Sequence, residues 1–159
     1  MSMSDIAVDL RNTIASATTR LQSIPAERAR QPVAPGKWSS QEIIGHLVDS
    51  ASNNHGRFIR AQLTDDLEFP GYDQEAWVRL QEYPATDWAE LVGLWRQFNS
   101  HIAHVIERIP PDVATRPRAR HNLDQIAWKT LPRDTPVTLE YFVRDYVAHL
   151  KHHLAQIPK

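Results

Sequence analysis

The chain of 159 residues contains no cysteine. A disulfide framework, a cysteine-ligated zinc or iron–sulfur site and a cysteine nucleophile are therefore excluded. Any thiol chemistry must use a thiol that arrives with the substrate. Charge of one sign is lacking too: 18 lysines and arginines face 19 acids, a formal charge of −1, which gives no general pull toward nucleic acid or an anionic membrane. No window approaches the roughly 18–20 apolar residues that cross a bilayer. Residues 1–21 have neither a basic lead nor a continuous apolar stretch, so they do not read as a secretory signal. The expectation is a cytoplasmic protein. Its partner would be a small-molecule substrate, with neither nucleic acid nor membrane and with a homodimer as the expected assembly. Glycine is scarce, and no run of alternating polarity is long enough to build a sheet; Ile126 to Val137 has room for a short hairpin at most.

Histidine, at 8 residues, is the compositional oddity, and it gains meaning from where the helices fall. The prolines cluster at 25–35, at 70–84 and at 110–136, leaving four proline-free stretches of helical periodicity at about 4–24, 39–65, 86–109 and 138–157. Ile6, Leu10, Ile14 and Leu21 form a 3.6-period stripe in the first. In the third, Trp88, Leu91, Trp95, Ile102 and Ile106 belong to another. Ser39 and Glu42 fit a capping box, and Thr138 fits an N-cap before Leu139. At this length the chain reads as one domain, 1–159. Its fold class is all-α, a four-helix bundle. The connections, roughly 14, 20 and 28 residues, exceed ordinary bundle loops and do not force an up-down-up-down order. The last holds Arg116, Arg118, Arg120, Lys129 and Arg133 against one acid, Asp124, and reads as a solvated basic loop or, alternatively, as an anion-binding lid.

On the fourth helix His149 and His153 are four residues apart, about 40° around the axis, and so point the same way. His46 falls at a matching depth of the second helix. Three imidazoles from two helices make a divalent-metal site with open positions. Asp49, Ser50, Asn53 and Arg57 lie within about 60° of His46, a polar ridge flanked by Ile43, Leu47 and Phe58. Asp145 shares the ridge of His149. Asp49 and Asp145 are thus candidates either to orient a ligating imidazole or to act as general base. His55 points away from His46 toward solvent, and His152 lies at the rim. The pair His101 and His104 is a rival, and such pairs also arise by chance. The pattern His149-x-x-x-His153 lacks the glutamate of zincin proteases, which counts against a peptidase.

The run Gly36-Lys37-Trp38-Ser39-Ser40-Gln41-Glu42-Ile43-Ile44-Gly45-His46-Leu47-Val48-Asp49-Ser50, continued through Asn53 to Arg57-Phe58, resembles the second-helix motif of the DinB/YfiT-like superfamily. Tyr72-Asp73-Gln74-Glu75-Ala76-Trp77 resembles its following loop, and His149-Leu150-Lys151-His152-His153-Leu154-Ala155-Gln156-Ile157 its last helix. The resemblance implies an up-down-down-up bundle holding zinc or nickel on His46, His149 and His153, with His152 not a ligand. It implies a metal-dependent hydrolase, or a transferase or isomerase working with an external low-molecular-weight thiol. A non-catalytic module that binds metal or a small ligand is the alternative.

Overall fold

A computed structural model describes all residues, 1–159, as helices joined by loops that carry short helices of their own. Four long helices form where the apolar stripes lie: α1 Met3–Gln22, α3 Ser40–Arg60, α5 Trp88–Glu107 and α8 Leu139–Gln156. Between them are α2 Ala26–Ala29, α4 Gln74–Gln81, α6 Pro111–Thr115 and α7 Leu123–Ile126, with a 3₁₀ turn at Tyr83–Ala85.

Each long helix starts where a side chain satisfies its first free amides. Ser2 with Asp5, and Ser39 with Glu42, form reciprocal capping boxes; Asp87 caps α5 and Thr138 caps α8. The stripes then meet in one core that includes Ile6, Leu10 and Leu21 of α1, Trp95 and Ile102 of α5, and Phe142 and Leu150 of α8, each at most 2% exposed. Full burial of such a side chain contributes about 1.5–3 kcal/mol, so Leu10→Ala alone is expected to cost roughly 2–5 kcal/mol.

Named contacts give the topology. Trp88 at the start of α5 donates to the Leu21 carbonyl, while Arg11 pairs with Glu107 at its end, so α1 and α5 are antiparallel. Lys151 pairs with Asp9 and Arg20 donates to the carbonyls of Leu154 and Ile157, so α1 and α8 run together. His46 meets His149 and Phe58 meets Phe142, which makes α3 and α8 antiparallel. Gln41 reaches Thr86 just before α5, and His55 lies on Phe98, so α3 and α5 are parallel. The order is up-down-down-up.

Two readings of the connections need correction. Ile126 to Val137 forms no hairpin; there are no strands, only three isolated bridges, and Val137 pairs outside its own segment with Arg118. Pro132 and Pro136, which lack the amide that a ladder needs, give the physical reason. The basic stretch is also not a uniformly solvated loop. Arg118 is 1% exposed and its guanidinium donates to the carbonyls of Ala61, Thr64 and Val113, tying the end of α3 to α6. Arg116 and Arg120 pair with Asp65 and Glu68, acids from the preceding connection. No helix is long and apolar enough to cross a membrane.

Candidate metal centre

The antiparallel packing of α3 on α8 sets the second turn of one against the last two turns of the other. One ring nitrogen each from His46, His149 and His153 lies within 4.8 Å of the other two. The Nε2 atoms of His46 and His149 are 3.3 Å apart. Two imidazole nitrogens bound to one ion at about 2.1 Å would be separated by roughly 3.0–3.4 Å for angles near 90–110°, so this donor pair fits a shared cation. The rings stand edge to face, with centroids 4.6 Å apart for His46–His153 and His149–His153.

Burial tunes the set. His46 is 1% exposed, and desolvation, reinforced by the neighbouring His153, pushes its pKa down to about 4. The same causes push His149 to about 3, and burial also lowers His153. All three imidazoles are therefore neutral at ordinary pH and offer lone pairs, the form a metal requires. The orientation of His153 is fixed by Gln156, whose Oε1 is 2.9 Å from Nδ1; an Nδ1–H donor leaves the Nε2 lone pair for the cluster. His46 has no partner at Nδ1 and is held by packing, its ring 5.1 Å from that of Trp38. Trp128 packs at the other side, 6.1 Å from His149 and 5.0 Å from His152, which is exposed at the rim.

The two acids occupy the expected ridges, but neither bonds to an imidazole. Asp145 accepts the backbone amides of Trp128 and Lys129, both at 2.8 Å, so its two oxygens hold the segment after α7 against α8. Asp49 accepts the Tyr83 hydroxyl at 2.6 Å and Gln81 at 2.8 Å on one oxygen, and its other oxygen is buried without a partner. Burial raises both carboxyls above the ordinary range, against the pull of those hydrogen bonds. Tyr83 reaches Asp49 by lying over Gly45, where a Cβ would come within 2.1 Å of the ring. Glu82, in the left-handed region at φ 46°, turns the chain into that position.

His149 also forms part of the wall of a cavity of about 540 Å³. Arg57, Ser50 and Asn54 of α3 line it, with Tyr72 from the loop before α4, and Trp128, Phe142 and Tyr146 opposite. Asn54 takes the place expected for Asn53, whose side chain instead bonds the Asp49 carbonyl. His55 does not simply face solvent: it is half-buried against Phe98 and His101 of α5. Gln156, Trp128 and Tyr72 were absent from the sequence-derived site. For Gln156 the signal was its place one turn after His153; for Trp128 there was none, because only the fold brings it near.

A helical bundle with up-down-down-up order and a convergent three-imidazole cluster defines the class, and the comparisons place the chain within it. The sequence model of the DinB superfamily matches residues 9–157, and the chain belongs to that family. A Bacillus subtilis protein named "Putative metal-dependent hydrolase YfiT" is 23% identical over 126 residues, covering 79% of this chain and 65% of that protein, just short of two thirds of its length. The solved structure of YfiT from Bacillus subtilis, described as a probable metal-dependent hydrolase with an unusual four-helix bundle topology, aligns over 97% of this chain and 83% of its own. Its TM-score is 0.77 at 20% identity, a likeness of fold.

Proposed function

We propose that the chain is a metal-dependent enzyme acting on a small molecule, with His46, His149 and His153 holding a divalent cation, zinc or nickel. The observation that carries this is the convergence of three neutral imidazoles within 4.8 Å, one of them on the wall of an open cavity. A divalent cation held there supplies Lewis acidity toward a water or an external thiol. Hydrolysis is the favoured reaction, in keeping with the name carried by the Bacillus subtilis relative. S-transfer from an external thiol is the second reading, favoured by the absence of any cysteine in the chain.

The residues of the chain have separable tasks. Burial keeps the imidazoles unprotonated, and Gln156 turns His153 toward the cluster. Trp38 covers the His46 side and keeps water from it, while the cavity beside His149 receives substrate. Asp145 acts as a positioning residue, since its bonds to residues 128 and 129 set the Trp128 wall. Asp49 does the same for Tyr83 and Gln81.

Elemental analysis of the purified protein tests the metal, with near one ion per chain expected. Turnover of ester, amide and phosphoester panels, with and without glutathione, mycothiol or bacillithiol, in chelated and reloaded protein tests the reaction. Metal at one per chain without turnover on any panel would leave a binding module in place of an enzyme.

A further inference from the structure

The cavity beside His149 contains one cationic side chain, Arg57, and nothing in the protein neutralises it. Arg57 is 5% exposed, and no carboxylate lies within ion-pair distance of it. One Nη2–H donates to the Pro70 carbonyl at 2.8 Å, and Nη1 reaches Asn54 Oδ1 at 3.4 Å, a weak contact. Its guanidinium carbon stands 6.0 Å from the centre of the Tyr72 ring. Of five N–H donors, three remain without a protein acceptor. Burying a charge in this way is costly unless a counter-charge completes it. Arg118, the other deeply buried arginine, provides the contrast: both of its Nη atoms donate to carbonyls, three in all, its Nε is buried without a partner, and it does not line this cavity.

We propose that Arg57 is the anion anchor of this cavity and that the substrate is a small carboxylate with an apolar body. The planar guanidinium fork matches a carboxylate. Trp128, Phe142, Tyr146 and Ile126 supply apolar wall between Arg57 and His149. Asp73, Glu75 and Asp145 also border the cavity, so a single positive group stands among three acids. Arg57 can pair with one negative charge, and the surrounding acids repel any further one, which disfavours a doubly charged phosphate relative to a carboxylate. His46 and Arg57 are eleven positions apart on α3, about 16 Å along the axis, so the anchored carboxylate is remote from the histidine cluster and serves recognition. The inference deepens the proposed function, because it names the substrate class of the same cavity, but the anion site itself requires no metal.

The test is therefore made on chelated, metal-free protein at constant ionic strength. Phenylacetate and its neutral isostere phenylacetamide are titrated while the Arg57 Nε–H and backbone amide resonances are followed by NMR. Phenylacetate is expected to saturate with a millimolar or lower dissociation constant, as suits a ten-atom ligand, and to shift Arg57 and the indole of Trp128. Phenylacetamide should bind at least tenfold more weakly, a comparison that needs no variant. Arg57→Gln should lose at least tenfold for phenylacetate, with Arg57→Lys intermediate. Equal binding of acid and amide, an unchanged constant in Arg57→Gln, or no saturable phenylacetate binding would overturn the proposal. Metal stoichiometry, measured separately, tells the two readings apart: protein that binds phenylacetate but never metal fails only the metal centre, and protein that holds metal but not phenylacetate fails only the anchor.

Discussion

His46, His149 and His153 bring nitrogens from α3 and α8 to within 4.8 Å of one another, whereas His55, His101 and His104 of α3 and α5 lie ring against ring at the outside of the bundle. Both groups hold a pair one turn apart on one helix and a third histidine from α3. His46 and His55 differ by nine positions, about half a turn in phase, and that half turn decides everything else. The inner group faces α8, is desolvated and is backed by Trp38 and Gln156. In the outer group His101 and His104 are exposed, and His55 is only half-buried. Spacing along one helix, and even ring contact across two helices, does not distinguish a site from a coincidence; three ring nitrogens within 4.8 Å of one another in a desolvated cluster do.

The largest effect should separate the two groups. His46→Ala, His149→Ala and His153→Ala are each expected to abolish stoichiometric metal binding, while His55→Ala, His101→Ala, His104→Ala and the rim variant His152→Ala leave near one ion per chain. Calorimetric titration of zinc or nickel into chelated protein reads this directly. Wild-type affinity in any of the first three variants contradicts the ligand set.

Gly45→Ala asks how rigid the frame around the inner group is. Alanine gains up to about 1 kcal/mol in helix propensity. Its Cβ would meet the Tyr83 ring at 2.1 Å, and displacing a buried ring should cost about 1–3 kcal/mol net. Denaturant unfolding is the measurement. A stabilised variant would mean that Tyr83 and the chain around it yield without resistance, and that Asp49 is not fixed by them.

Gln156→Ala sharpens the comparison further, because Gln156 is the only side chain bonded to the inner cluster from outside it. Loss of a partner that orients a ligating imidazole should weaken metal binding by roughly 10-fold without removing it. Asp49→Asn and Asp145→Asn should change affinity less, since neither carboxylate touches an imidazole. Instead they should lower stability, Asp145→Asn by presenting an NH₂ group where two backbone amides now donate. A tenfold affinity loss in either aspartate variant, with none in Gln156→Ala, would reverse these roles.

What could be read from the sequence follows the range of the forces involved. The four long helices, their caps at Ser39 and Thr138 and the phases of His46, His149 and His153 depend on neighbours a few residues away, and all appear where the pattern puts them. The aspartate contacts could not be read, because Tyr83, Gln81 and the amides of 128 and 129 come from other segments. Arg118 failed as a surface residue for the same reason: two of its three acceptors, Ala61 and Thr64, belong to a turn 54 or more residues away in sequence. His55 illustrates the limit best. Phase on α3 correctly turned it from His46, but only the parallel packing of α5 supplies Phe98 and His101 beside it.

That packing gives the smallest effect, confined to the outer group. Burial against α5, with the nearby His101, lowers the His55 pKa below its ordinary 6.5. Between that value and the lower native one the unfolded chain binds more protons than the folded chain, so native stability falls as pH drops through about 6.5 and is unpenalised above it. His55→Asn removes this titration and leaves His46, His149 and His153 as they are, so their contributions cancel in the comparison. The melting temperature of the variant relative to the wild type should therefore rise between pH 8 and pH 5 in metal-free protein. A difference that stays constant with pH would show that His55 titrates alike in the folded and unfolded chains, and that α5 covers it less than the packing indicates.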